Sequence, residues 1–591
     1  MEDNRNFMIA IALTMAILLG YTYFYDAPIQ QERQQAAEQA RQEQLAEAGK
    51  NGEELPDFGT TANISGEPSS QGREDAMSIP LDRDDALNTA ARVSIFSPHL
   101  KGSISLKGAY IDDLTLSDYK ETLDKDSKDV ALLNPMGTEQ AYYVDFNWGI
   151  DGAQGPDKDS VWTADNNTLE AGGDVTLTWD NGAGLLFSRT IGLDENYMFS
   201  VTQKVTNTTN STVNVAQYGR VVRKGRPGGM SLYILHEGPM WSLDDGVEEF
   251  TYSNLEDLGK TEKNTAKATA GGWVGITDKY WLVALIPDQK KEFSAEIYRR
   301  GDEAQETFYA NYFHNWTKLN AGDSYEEKSR LFAGAKKVTL LDDYTETQNV
   351  KMLNYAIDWG MFDFLTKPIF YLLEILYNFS GNFGVAILLL TAIVKLALFP
   401  IANKGYKSMN KMKILQPKMQ ALKEKYGDDK AKMQKATMEL YKKEKVNPVS
   451  GCLPIFLQFP VFFALYKVLY VTIDMRHAPF FGWIKDLSAP DTMLVTNLFG
   501  LLPWEPTGFL ALGILPIFMG FTMWLQMQMN PSSGDPLQRK IMLFMPIIFT
   551  FMLSQFSVGL VIYWTFSNIL GILQQWVLMR RAEQVPVDTK A

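Results

Sequence analysis

Hydrophobic positions are unevenly spread along the 591 residues, and their spacing changes character several times. Phe7 to Tyr25 (FMIAIALTMAILLGYTYFY) is an apolar run of about 19 residues, long enough to cross a bilayer core of ~30 Å as a helix. No small-x-small cleavage pattern ends it, it closes on bulky aromatics, and Pro28 follows, so residues 1–27 read as an uncleaved transmembrane anchor with an interfacial aromatic belt. Residues 28–90 carry Gln, Glu, Ala and Arg, then Gly, Ser, Pro and acids, with almost nothing to build a core; they are expected to form a flexible tether. From 91 to 345 the period becomes two, in short runs such as KGSISLKGAYIDDLTL, DVTLTWDN and MFSVTQKVTNTT separated by Gly, Asn and Asp turns. That pattern predicts a large antiparallel β-sandwich.

Beyond it the period is helical. Lys351 to Phe379 mixes aromatics with Asp358, Asp363, Lys367 and Glu374, which predicts an amphipathic helix lying at a membrane interface over 350–380. Residues 381–580 then hold apolar segments at Phe383–Pro400, Leu453–Ile473, Phe509–Met527, Ile541–Phe556 and Val558–Met579, followed by a short tail, 581–591. With the anchor, the expectation is a multi-domain membrane protein: six transmembrane α-helices, five forming a core, and a large β-sandwich on one side. The stretch Met493–Thr507 before the fourth span has no evident role in the sequence alone.

Charge orients this plan. The chain is acidic, at −14, yet Asn403–Asn447 holds thirteen Lys against five acids, leaving about −22 for the rest. This basic stretch, Arg539-Lys540 and Arg580-Arg581 fall on one side under alternation, which makes that side and both termini cytoplasmic and the β-sandwich external. An acidic whole with one basic loop speaks against specific nucleic-acid binding. Cys452 is single, and His99, His236, His314 and His477 lack ligand spacing, so neither a metal nor another cofactor is expected. No phosphate-binding or dinucleotide-binding glycine motif occurs, and His236-Glu237 reads as ordinary surface chemistry, so the chain is expected not to be an enzyme.

Lys395 interrupts the second span. At ~1.5 Å per residue it lies about 18 Å past Phe383 and about 13 Å short of Lys404, where a cation costs a few kcal/mol. A long stem could snorkel to the headgroups; the functional alternative is an unpaired cation facing a hydrated cavity, suited to an acidic group on a client. Thr391 lies one turn away on the same face, and Gln458, Tyr563, Ser567 and Asn568 on other spans suggest one polar interior. The basic stretch forms a helical hairpin over 404–447, with Met409, Met412, Met419 and Tyr426 on a stripe of the first arm and a turn at Gly427-Asp428-Asp429. It would rest on lipid headgroups or receive nascent chains or a ribosome.

The stretches TAIVKLALFPIANKGYKSMNKMKILQPKMQALKEKYGDD, LYKKEKVNPVSGCLPIFLQFPVFFALYKVL, FFGWIKDLSAPD, DPLQRKIMLFMPIIFT and GLVIYWTFSNILGILQQ resemble the Oxa-type (YidC/Oxa/Alb) family of membrane protein insertases, in its Gram-negative form. The resemblance implies an inner-membrane insertase and chaperone with a periplasmic β-supersandwich, and a five-helix groove open to cytoplasm and lipid but closed outside. It implies nascent membrane proteins, the Sec translocon, ribosomes and membrane lipids as partners. The family's groove cation, commonly Arg, corresponds to Lys395, its groove glutamine to Gln458, and its client-contacting positions to Thr391 and Tyr563; Trp564 stands where a second Tyr is frequent. Two rival readings remain: a secondary transporter binding a small anion at Lys395, without an evident inverted repeat, and an envelope sensor acting through its β domain.

Overall fold

The computed structural model describes residues 80–583, apart from 229–234, 245, 258–262, 270, 302–305, 361, 428, 445–452, 505 and 530–535. The expected N-terminal anchor, most of the tether and the tail from 584 lie outside the described residues. The described chain divides into a β unit (80–359, with 471–474) and a helical unit (360–470 and 475–583).

Period-two alternation produces the β unit. In the strand Met198–Asn207, Val201, Gln203, Val205 and Asn207 are buried while Ser200 and Lys204 face solvent. That strand pairs antiparallel with Leu185–Leu193 and Ser324–Ala335 at the middle of a nine-stranded sheet. In an eleven-stranded sheet, Val213–Lys224 pairs antiparallel with Tyr142–Asp151 and Thr307–Phe313. Among the described strands one pairing is parallel, Arg92–Phe96 with Thr168–Glu170. Fully buried aromatics such as Phe199, Trp273, Tyr312 and Phe332 fill the core, each worth roughly 1.5–3 kcal/mol. Arg189 crosses it from the nine-stranded sheet, donating to the carbonyls of Ala109 (2.6 Å) and Phe146 and lying over Trp162; burial pulls its guanidinium down to about 10.

Two expectations move here. Residues 81–90, assigned to the tether, are docked: α1 (Arg83–Leu87) is capped by Asp82, Arg83 reaches Asn134 and Asp113, and Leu81 bridges to Thr138. The helix expected over 350–380 begins only at Asp363. After α2 (Tyr252–Asp257) and α3 (Val338–Thr347), Met352 takes a left-handed conformation and a 3-10 turn, Leu353–Ala356, buries Leu353, Ala356, Ile357 and Trp359 in the β unit. Those apolar residues serve a packed turn, not a membrane face.

The helical unit comprises α4 (Asp363–Ser380), α5 (Phe383–Tyr426), α6 (Lys430–Lys443), α7 (Leu453–Val471), α8 (Ile514–Met529), α9 (Pro536–Leu553) and α10 (Val558–Glu583). Gly381, at φ 67°, ends α4 by donating to Tyr377, and the Asn382 side chain caps α5 at Val385. The span from Phe383 does not stop at Pro400: one 44-residue helix runs through Pro400 and Pro417 and includes the first arm of the hairpin. Among the described residues, one helical segment, Phe383–Gly405, is long and apolar enough to cross a membrane; Gln458–Val471, Ile514–Met529 and Leu543–Leu553 are shorter apolar helices.

Candidate functional site

The helical unit is apolar outside and buries several polar side chains among apolar ones within. Leu396 on α5 is 71 % exposed, and Phe459, Phe521, Phe544, Ile548 and Leu573 on the other long helices also face outward. Such continuous apolar surface needs a nonaqueous surround. Thr391, Thr522, Ser554, Thr565, Ser567 and Asn568 are buried instead.

On α5, Ile387, Thr391 and Ala402 are buried, Val394, Lys395 and Leu398 are half-buried, and Ile393, Leu396, Ala397 and Phe399 are exposed. The helical period therefore puts Lys395 on the inward face, one turn beyond Thr391. Among the described residues no acid pairs with Lys395. Its charge is left uncompensated among the described residues. The Thr391 hydroxyl donates to the Ile387 carbonyl at 2.6 Å, so its remaining capacity is as an acceptor.

A second polar element joins α7 to α10, where the Gln458 amide donates to the Tyr563 hydroxyl. Deeper along α10, Asn568 donates to Thr522 of α8 at 3.2 Å, and the Thr522 hydroxyl donates to the Met519 carbonyl. Gln575 donates to the Met529 carbonyl at 2.9 Å. The expected groove residues thus fall into two groups. Lys395 and Thr391 share a face of α5; Gln458, Tyr563 and Asn568 act as bonds between helices, and Ser567 is buried on α10. Trp564 joins neither: it stands edge-on to Phe462 (4.6 Å) and packs on Phe549 beside the Met519, Leu553 and Val561 cluster. Thr522 and Gln575 were not picked out in the sequence; a polar residue amid an apolar helix was the available signal.

One end of these helices is sealed by the chain 476–491. The Val558 and Gly559 amides that open α10 donate to the carbonyls of Ala489 and Leu487. Gly559 allows this close approach, since a Cβ would lie 3.1 Å from the Leu487 oxygen and 3.4 Å from Ile387. Asn382 at the start of α5 donates to Pro479.

In the hairpin, Tyr441 of α6 donates to the Met419 sulfur (3.2 Å), Lys418 pairs with Glu444 (2.7 Å), and Asp429 caps α6 at Lys432. Tyr426 ends α5, half-buried, with Lys425 over its ring. The side chains of Met409 and Met412, and Asp428, lie outside the described part. In the β unit His236 is buried and donates Nε2–H to the Pro239 carbonyl, while Glu237 accepts from the Lys279 amide, so both serve local structure. No group of three His, Cys, Asp or Glu side chains among the described residues could hold a metal ion.

Residues 375–585 match the model of the 60Kd inner membrane protein family, and residues 92–372 that of the YidC periplasmic domain. The membrane protein insertase YidC of Methylobacterium radiotolerans is 46% identical, covering 98% of this chain and 95% of its own. That of Methylobacterium nodulans is 48% identical over 98% and 95%, and that of Brucella suis 46% over 98% and 96%. A solved structure described as an active YidC insertase with its first transmembrane domain resolved aligns at 18% identity and a TM-score of 0.34, covering 82% of this chain and 92% of that one.

Proposed function

The chain belongs to the YidC family of membrane protein insertases, and from that premise we propose that its clients enter along the inward polar face of α5, drawn by Lys395. It is an inner-membrane insertase with a periplasmic domain, and its substrates are nascent membrane proteins. The observation that carries the finer reading is Lys395 itself, half-buried on the inward face without an acidic partner among the described residues. A cation held partly out of water costs a few kcal/mol unless something pairs with it. An acidic residue in the outward-going tail of a client supplies that charge, which shortens the tail's path through the apolar core.

Thr391, Gln458, Tyr563, Ser567 and Asn568 complete the path. The bond between Gln458 and Tyr563 is its exchangeable element, since a passing polar backbone offers both groups a substitute. Trp564, packed among apolar side chains, supports that wall from behind. The client's apolar segment leaves along α7 and α9, the third and fifth spans, into lipid. On this reading the chain crosses the membrane six times, with Phe7–Tyr25 as the first span and α5, α7, α8, α9 and α10 as the rest. Both termini and the hairpin of α5 and α6 are cytoplasmic, and the Lys-rich charge of that hairpin supports the orientation. The sealing of the opposite helix ends by residues 476–491 supports a path closed on the periplasmic side. The Met and Lys stripe of the hairpin, with Met409, Met412, Met419 and Tyr426, fits a nascent chain leaving the ribosome, and membership of the family supports cooperation with the Sec translocon and contact with membrane lipids as part of this proposal. The same uncompensated cation would suit a small anion, which keeps an anion transporter as the second reading.

The test is charge reversal in proteoliposomes. Lys395→Glu is expected to lose insertion of a single-span client with an acidic tail and to keep it for a client whose tail is neutral, while Lys395→Arg retains both. Equal insertion of the acidic tail by Lys395→Glu would falsify the electrostatic step.

A further inference from the structure

Residues 491–515 build a stalk with an apolar tip. At its base the Asp491 carboxylate, 5 % exposed, accepts from Trp483 Nε1 (2.9 Å) and the Met493 amide (3.0 Å) through one oxygen, and from the Leu515 amide (2.8 Å) through the other. Above it the two limbs pair, with Val495 donating to the Leu512 carbonyl (2.9 Å), Ile514 to Met493 (3.1 Å) and the Thr496 hydroxyl to Leu510 (2.6 Å). The tip carries Leu498, Phe499, Leu501, Leu502 and Trp504, with Leu501 82 % exposed. Between Thr492 and Trp504 the chain has no charged residue.

An exposed apolar tip of this kind is costly in water. Its backbone is arranged for somewhere drier. The amides of Leu498, Phe499, Gly500, Leu501 and Leu502 donate in turn to the carbonyls of Val495, Leu494, Asn497, Leu498 and Asn497. Leu498 and Phe499 hold left-handed conformations (φ 51° and 61°) to make this winding. Satisfied amides are the condition for lowering a turn into an apolar phase. The limb after the tip continues into α8, one of the apolar helices, so the base of the stalk stands at the start of a helix whose surround is apolar. Leucine, phenylalanine and tryptophan are the residues that settle at a bilayer surface.

We propose that the tip, Leu498 to Trp504, is a lipid-binding wedge inserted into the bilayer leaflet at the starts of α8 and α10, which is the outer leaflet on the topology above. The occupant is the bilayer surface; the rigid stalk fixes the wedge's depth. A wedge there displaces acyl chains beside the sealed end of the helix bundle and anchors that end against tilting while clients pass.

The full chain, with Cys452→Ser and a single cysteine at Leu501, is labelled with an environment-sensitive NBD fluorophore and reconstituted in phosphatidylcholine and phosphatidylglycerol vesicles. Controls carry the label at Leu396, on the outward face of α5, and at Lys204, exposed on the β unit. Blue-shifted emission at 501, with loss of intensity to shallow spin-labelled lipids and protection from iodide, is the expected result. Emission at 501 like that at 204 overturns the proposal, as does a blue shift that needs an added partner protein. If 396 is quenched by lipid and 501 is not, the wedge alone fails; if neither is quenched, the assignment of α5 as a span fails with it.

Discussion

Replacing Asp491 separates two ways in which the stalk could be held. Its carboxylate binds three donors at 2.8–3.0 Å, two through Oδ1 and one, the Leu515 amide at the start of α8, through Oδ2. Hydrogen bonds to a charged acceptor contribute about 1.5–3 kcal/mol each, and a buried donor left without a partner costs about 1–3 kcal/mol. Asp491→Ala orphans all three, and allowing for relaxation and some hydration the stalk should lose on the order of 4 kcal/mol of local stability. Asp491→Asn keeps Oδ1 for Trp483 and Met493 but turns an amide NH2 toward the Leu515 N–H, so it should lose about a third to a half as much. Gly513 stands against this side chain, where an added Cβ would come within 2.5 Å of the Asp491 Cβ, so position 513 has no room for a side chain while Asp491 is present. Hydrogen exchange of residues 491–515 in vesicles, read as local opening free energies, orders the three proteins as wild type, Asn, Ala. Equal protection in the Asn and Ala variants would show that charge alone, not the pairing of each oxygen, holds the stalk, and unchanged protection in Ala would refute the whole account.

Three other outcomes follow from particular contacts. Gly520 on α8 faces Thr550 of α9, whose hydroxyl is committed to the Pro546 carbonyl at 2.8 Å; an added Cβ would overlap that oxygen. Gly520→Ala should cost about 1–3 kcal/mol in a detergent-unfolding assay, and Thr550→Ala in the same chain should restore part of it. His236 is held neutral, pushed down from 6.5 to about 4 by burial, so the unfolded chain binds its proton first. Its contribution is complete above pH 6.5 and is lost as pH falls through about 4, about 3 kcal/mol in all; denaturant titrations of wild type and His236→Gln should diverge only across that interval. Lys336, buried and bonded to Thr277 (2.9 Å) and the Ala356 carbonyl, is pulled down to about 8 by the same desolvation. Stability should therefore rise between pH 8 and 10.5 as the unfolded chain alone keeps the proton, and Lys336→Met should abolish that rise in the same titration.

The long helices and the alternating strands were legible because their periods are set by burial, which the pattern of apolar residues records directly. Lys395 was legible for the opposite reason, as the charge that breaks such a pattern. What escaped notice depends on pairing across distance. Gln458 and Tyr563 each look like any polar residue in a span, and nothing local says that 105 positions apart they meet. Lys351 to Trp359 carries the apolar residues of an amphipathic helix, but the left-handed Met352 and the 3-10 turn use them in a packed coil. Thr391 shares the inward face of α5 with Lys395 as its spacing predicts, yet its hydroxyl bonds its own helix, as a threonine in an apolar surround tends to. Asp491 closes a stretch that carries the family resemblance but stands outside every apolar run, so the sequence assigned it no role, although it bonds the start of α8.

The continuity of α5 has a mechanical consequence. Forty-four residues at ~1.5 Å each make a rod of about 66 Å, and Pro400 interrupts its hydrogen bonding by leaving the Leu396 carbonyl without an N–H four residues on. Pro417 repeats the interruption about 26 Å further along, so the rod has two weakened joints, the first about 26 Å from its start at Phe383 and both on the hairpin side of Lys395. Motion of the hairpin tip at Tyr426 is therefore taken up at Pro417 and Pro400 before it reaches Lys395, so the cation moves little while the tip sweeps widely. Whatever grips the hairpin gains reach without disturbing the charge that a client's tail has to find.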